Sequence, residues 1–247
     1  MFYKDLCIVL KTVNYKDYDK MLTLFAQNKG KLSAQAKGSR KQTSPFLSCS
    51  QLFACGEYSF YQKGEKYFLS QCVIKKTFGR IMEDMDRYLL ASFFAELTEK
   101  VLMENQPSPK LFSLLINTLY QVEEEPLKSH ELFCYFGLKM LDLLGYRPQT
   151  ERCVICGTTE GPFYISAKQG GVICGDCAGH IADGIAIEEQ QRQVLSEMLR
   201  TSPIHMGEAS WQCDDFLAKI TMAFLNYYIG LHLKSFQLLR KNLFFVE

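Results

Sequence analysis

Two Cys-x-x-C pairs constrain this chain more than any other feature. Cys153-Val154-Ile155-Cys156 is followed, after seventeen residues, by Cys174-Gly175-Asp176-Cys177. Thiolate sulfur is a soft ligand, and four thiolates at about 2.3 Å satisfy the tetrahedral preference of Zn2+ when two short knuckles face each other. Between the pairs, Gly161 to Ser166 and Lys168 to Ile173 read as two short strands around a glycine turn, a hairpin that carries one knuckle to the other. Unrelated buried cysteines, each acting as a small hydrophobe in a core, have no reason to fall as two pairs flanking a hairpin. The spacing therefore predicts one structural zinc held by Cys153, Cys156, Cys174 and Cys177. Four protein ligands leave no open position for a water, so the metal is not a seat of catalysis. The remaining cysteines, Cys7, Cys49, Cys55, Cys72, Cys134 and Cys213, form no framework, as where thiols stay reduced.

Charge divides the chain. The formal net charge is +1, yet residues 1–80 hold 14 Lys+Arg against 5 Asp+Glu, a net of +9, and residues 81–247 hold 14 against 22, a net of −8. Local field, not total charge, attracts a polyanion. The amino-terminal part is thus a candidate for binding nucleic acid, and a solvated basic face without a partner is the plainer alternative. With 247 residues, 47% of them hydrophobic, two domains are expected. No apolar run reaches the ~18 residues of a membrane helix, and no signal peptide pattern opens the chain. The expectation is a cytoplasmic protein with no membrane partner.

Residues 4–78 read as five strands: Asp5 to Val13, Asp19 to Gln27, Lys31 to Lys37, Leu52 to Lys63 and Lys66 to Phe78. In the third, Lys31, Ser33, Gln35 and Lys37 alternate with Leu32, Ala34 and Ala36, the period-2 pattern of a sheet with one wet face. Five short strands with no covering helix fit an OB-type barrel; an SH3-like barrel has the same strand count. From Arg80 the period becomes helical, with Ile81, Met85, Leu89, Phe93, Leu97 and Val101 on one core-facing stripe. Ser108-Pro109 opens a helix to about Val122, a third runs from Ser129 to Leu144, and Ile187 to Leu199, Asp214 to Leu233 and Lys234 to Leu243 complete the set. The expected class is α+β multidomain: a basic, nucleic-acid-binding OB-fold over residues 1–79, then a helical domain over 80–247 carrying the ribbon at 153–177.

The loop Lys37-Gly38-Ser39-Arg40-Lys41 sets three cations around a glycine, a composition suited to phosphate. It is not a nucleotide-triphosphate loop, since no G-x-x-x-x-G-K-[ST] occurs. Single-strand binding also needs aromatic faces for bases. On the fourth strand Tyr61 and Lys63 share a face, with Tyr58 and Phe60 on the other, so Tyr58 and Phe60 are assigned to the core. Tyr61 is either a stacking surface or an ordinary half-buried strand residue. No catalytic constellation emerges. His130-Glu131 starts an H-E-x-x-H helix, but Cys134 stands at the second histidine. His130, His180, His205 and His232 are widely separated, and no G-x-S-x-G occurs. Paired Cys-x-x-C motifs without a βαβ unit do not read as a redox site.

The order of parts resembles the RecO family of bacterial recombination mediators. The resemblance is carried by Leu10-Lys11-Thr12-Val13-Asn14-Tyr15, Asp19 to Phe25, Gly30 to Arg40 with Ala36-Lys37-Gly38-Ser39-Arg40 at its centre, the ribbon, and Leu233-Lys234-Ser235 to Leu239. It implies an OB fold followed by a helical domain, and a protein that is not an enzyme. It further implies binding of single- and double-stranded DNA and annealing of strands coated with single-stranded-DNA-binding protein. RecR is an implied partner, with RecF and RecA as further ones, in the cytoplasm at the nucleoid. On that resemblance Lys37, Arg40 and Lys41 are the phosphate-gripping positions, with Lys11 and Lys63 as secondary ones, and the acidic helical half serves protein partners. The alternatives are a zinc-braced interaction adaptor whose basic face is incidental, or an RNA-binding OB-fold protein.

Overall fold

The computed structural model describes residues 2–124, 126–230 and 233–242. Two of the sequence expectations, a helix end at Leu243 and the histidine at 232, lie outside the described residues. The chain divides into two compact units, Met1–Glu123 and Glu124–Glu247.

The first unit opens with β1 (Phe2–Tyr15), β2 (Asp19–Ala26), β3 (Gly30–Ala36), β4 (Cys55–Lys63) and β5 (Lys66–Lys76). They close into a barrel in the order β1-β2-β3-β5-β4, with β1 antiparallel to both β2 and β4. Closure is by a short parallel pairing of β3 with β5, Ala34 opposite Tyr67 and Gln35 opposite Phe68, the crossover of an OB-type Greek-key barrel. Alternation along the strands sends Leu22, Leu24, Leu32, Ala34, Ala36, Tyr58, Phe60 and Leu69 inward. Small alanines on β3 leave room for the two aromatic rings of β4, which stack parallel inside. The Tyr58 hydroxyl, taken out of water, donates to the Cys49 carbonyl at 2.7 Å. β4 begins at Cys55 and not at Leu52, because Phe53 is left-handed at φ 64° and breaks the extended run.

The predicted helix from Arg80 is two: α1 (Gly79–Glu83) and α2 (Met85–Val101). Asp84 interrupts the pattern by accepting the Arg87 N–H at 2.9 Å, capping α2. Met85 therefore leaves the apolar stripe and is 69% exposed, while Leu89, Phe93 and Leu97 are buried. α3 (Pro109–Val122) starts at the predicted proline, although Ser108 makes no side-chain cap. These helices pack with the barrel: Phe112 meets Phe25 edge-on at 5.2 Å, Lys31 Nζ donates to the Glu99 carbonyl at 3.0 Å, and Lys76 pairs with Glu123 at 2.5 Å.

In the second unit α4 (Ser129–Leu143) is followed by Gly145 in the left-handed conformation. A three-stranded sheet, order β7-β6-β8, consists of β6 (Phe163–Ser166), β7 (Gly171–Cys174) and β8 (Ile185–Ile187), with the short α5 (Gly175–Ala178) after β7. Ile187 thus belongs to a strand, not to the next helix. α6 (Glu189–Arg200) and α7 (Asp215–Ile229) pack on α4. α7 stops short of Leu233 because Gly230 adopts φ 65°, and α8 (Lys234–Asn242) follows. The Leu199 carbonyl at the end of α6 accepts from Lys139 Nζ at 2.6 Å and from the Arg147 guanidinium at 3.2 Å, cations placed where the helix dipole is negative. Among the described residues no helix is long and apolar enough to cross a membrane.

Gly30 shows how closely α2–α3 and the barrel fit. It has φ 77°, and a Cβ there would run into the backbone of Gln106. Gly30→Ala is expected to lower stability by more than about 1 kcal/mol, read as a fall in the urea midpoint at constant slope.

Candidate nucleic-acid interface and metal centre

The loop after β3 is built against the turn between β1 and β2. Gly38, at φ 65°, turns the chain so that its N–H reaches the Asp19 carboxylate at 2.8 Å, and Gln35 Nε2 donates to the same group at 2.6 Å. The Gly38 N–H above all, with Gln35 and the charges of Lys16 and Lys37 adding to it, holds the Asp19 carboxyl below its usual range. Arg40 completes the lock. Its N–H donates to the Tyr18 carbonyl at 2.9 Å, and its guanidinium donates to the carbonyls of Asp17 at 3.0 Å and Lys16 at 3.4 Å. Lys41 Nζ sits 5.2 Å from the Tyr18 ring centroid. Lys16, Lys37, Arg40 and Lys41 are all exposed. Among the described residues no carboxylate lies within 4.0 Å of any of these four cations.

Tyr61 joins this cluster through a residue that single-strand alternation did not reveal. Phe68 on β5 lies opposite Gln35 on β3 and Tyr61 on β4. Tyr61 stacks on Phe68 with centroids 4.9 Å apart and planes 12° from parallel, and Lys37 Nζ lies 4.8 Å from the Phe68 centroid. Lys63 is exposed at the end of β4, opposite Lys66 and on the face of Tyr61. Lys11 is exposed on β1 but stands in the row of Thr23 and Ser33. That row is four residues, about 13 Å, from the one Lys37 extends. The fold thus gathers Lys37, Arg40, Lys41 and Tyr61, sets Lys63 on the neighbouring hairpin, and leaves Lys11 apart. The β4–β5 hairpin sets Phe68 beside Tyr61, whereas its approach to Lys37 comes from the β3–β5 pairing, which no local pattern carries.

The four predicted metal ligands also come together. The Sγ atoms of Cys153, Cys156, Cys174 and Cys177 all lie within 4.8 Å of one another, and Cys156 and Cys174 are 3.6 Å apart. A tetrahedron with Zn–S of about 2.3 Å has edges of about 3.8 Å, so the donor set fits a four-coordinate cation that prefers sulfur. Backbone geometry prepares it. Gly157, at φ 81°, donates its N–H to the Cys153 carbonyl at 2.9 Å, closing the first knuckle, and the Gly175 N–H donates to Pro162 at 2.9 Å beside the second. Burial raises the Cys153 thiol, but N–H groups of Cys156, Cys174 and Ile155 outweigh it and hold it at about 6. At Cys156 the Thr158 N–H pulls the thiol down but the Cys174 and Cys153 sulfurs raise it on balance, and at Cys177 the Cys174 sulfur raises it. β7 delivers Cys174 as its last residue, opposite Phe163. A metal here would cross-link the loop before β6 to the end of β7 and α5.

Two family models match the chain: recombination protein O N terminal over residues 1–78 and recombination protein O C terminal over residues 82–237. Among curated proteins it is similar to the DNA repair protein RecO of Caldanaerobacter subterraneus subsp. tengcongensis, 32% identical over 81% of each chain. It is also similar to that of Thermoanaerobacter sp. (strain X514), 30% identical over 92% of this chain and 93% of the relative. The RecO of Acetivibrio thermocellus is 28% identical over 88% of each.

Replacing one sulfur by an oxygen spoils the tetrahedral set. Cys174→Ser is expected to abolish stoichiometric metal, measured by elemental analysis of the purified protein, and to lower its melting temperature, because a structural metal contributes folding free energy. Unchanged metal content and melting would contradict the assignment.

Proposed function

The chain belongs to the RecO family of DNA repair proteins, and from that premise we propose that it is a non-enzymatic recombination mediator. It binds single- and double-stranded DNA through the basic end of its barrel and anneals complementary strands coated with single-stranded-DNA-binding protein. With RecR, and with RecF, it assists the loading of RecA, working in the cytoplasm at the nucleoid. Residues 1–79 carry the DNA contacts, residues 80–247 serve protein partners, and the four-cysteine cluster holds a structural Zn2+.

The observation that supports this reading best is the group of four exposed cations, without carboxylate partners among the described residues, beside a stacked aromatic pair. Cations neutralised by carboxylates would have little left for phosphate. Of the anions beside the loop, Asp19 is engaged in holding Gly38 in place, and the Asp17 side chain makes no ion pair with these cations among the described residues, only its carbonyl meeting Arg40. Lys37 and Lys41 offer point charges, and the Arg40 guanidinium, with five donors, keeps some free for phosphate after reaching Asp17 and Lys16. Such contacts are blind to sequence and suit a protein that must act at any gap. They also screen the repulsion between two strands brought together for annealing.

Binding should therefore be strongly salt-dependent. On a single strand, log affinity falls with log salt by about 0.7 per neutralised phosphate. The triple replacement of Lys37, Arg40 and Lys41 by alanine should weaken binding to every sequence and flatten that slope by about 2, with the barrel still folded. A fluorescence-anisotropy titration against salt reads both quantities. An unchanged slope would place the phosphate contacts elsewhere on the chain.

A further inference from the structure

We infer that the barrel carries, beside the phosphate-gripping loop, a stacking subsite for an unpaired base, formed by Phe2 and a neutral polar cleft under it. The inference rests on the DNA-binding reading above and gives its site a substrate preference, single strand over duplex.

Phe2 is the observation that needs an explanation. It is 80% exposed, yet it is held in the sheet as the first residue of β1, opposite Tyr61. Its neighbour Tyr3 points inward, stacked on Phe60, so alternation fixes Phe2 on the outer face. Across that face Phe68, Tyr61 and Phe2 occupy successive positions on β5, β4 and β1. The first two satisfy each other by stacking and Phe68 is also met by Lys37. Among the described residues no ring or cation covers Phe2. From Gln35 to Phe2 the row crosses three strand spacings, about 14 Å.

The cleft next to Phe2 has the composition of a base site and not of a phosphate site. It encloses about 380 Å³ and is lined by Phe2, Tyr3, Lys4, Ser59, Ser70 and Gln71. A bulge makes it: the register of β4 on β5 slips between Ser59 and Phe60, leaving Ser70 as the extra residue, its hydroxyl donating to the Ser59 carbonyl at 2.9 Å. The one cation at the rim, Lys4, is paired with Glu57 at 2.6 Å. Gln71 is exposed, and among the described residues its amide makes no hydrogen bond. It offers both a donor and an acceptor, which is what the edge of a base requires. A base in a duplex has its edge paired and its faces stacked, and it could enter only by being flipped out. An unpaired base pays no such cost, so the subsite adds affinity for single strands alone.

The test is a titration of the full chain with three fluorescent probes: oligothymidylate, the same strand with abasic sites, and a blunt duplex. Phe2→Ala should weaken oligothymidylate binding about tenfold, the value of one base–aromatic stack, with duplex affinity and salt slope unchanged. Phe2→Trp should retain the wild-type value, and abasic sites should weaken binding to the wild type but not to Phe2→Ala. No loss with Phe2→Ala, or an equal loss on the duplex, would overturn the subsite while leaving the phosphate contacts in place. If the wild-type protein binds none of the probes at low salt, the DNA-binding reading falls and this inference falls with it.

Discussion

The short parallel pairing of β3 with β5 is the constraint on which the first unit depends. Two residue pairs, Ala34 with Tyr67 and Gln35 with Phe68, close the barrel, and closure removes the unpaired edges that an open five-stranded sheet would expose. The same two pairs assemble the surface. Phe68 lies beside Tyr61 through the β4–β5 hairpin and comes beneath Lys37 because β5 returns to β3. The loop that follows β3 is then fixed from the other side by the Asp19 carboxylate and the carbonyls of the β1–β2 turn. A run of cations that would be loose in an isolated hairpin is presented in one orientation. Preorganisation of this kind lowers the ordering cost of binding a flexible polyanion.

The second unit meets a different problem. Between α4 and α6 the regular structure is a three-stranded sheet of short strands and the single turn of α5, a module of the size that metals often brace. A metal held by Cys153, Cys156, Cys174 and Cys177 would supply a cross-link there, and the preformed knuckles would reduce what must be ordered when it binds. The cluster is in this sense a staple, far in sequence from the residues that would meet DNA.

Much of this was legible in the residues. The alternation in β3, the proline opening α3 and the two cysteine pairs each act locally, and the structure follows them. What escaped notice was set by competition or by distance. At Asp84 a capping carboxylate defeats an apolar stripe; at Phe53 and Gly230 a left-handed residue ends an element that composition alone would extend. Ile187 pairs with Phe163 across a stretch no periodicity links. The candidate site shows the same division. The cations of the Lys37 loop were visible as composition, whereas Phe68 and the outward position of Phe2 follow from cross-strand register. Lys11, equally basic on paper, stands in a different row for the same reason.

The central claim is that DNA lies along the outer face of the barrel from the Lys37 loop to the β4–β5 hairpin. Hydrogen–deuterium exchange on the full chain, with and without a single-stranded oligonucleotide, tests it most directly. The account predicts slowed exchange in residues 15–20, 37–41 and 61–68, with α4, α6 and α7 unchanged. Protection confined to those helices, with the barrel exchanging as in the free protein, would contradict it.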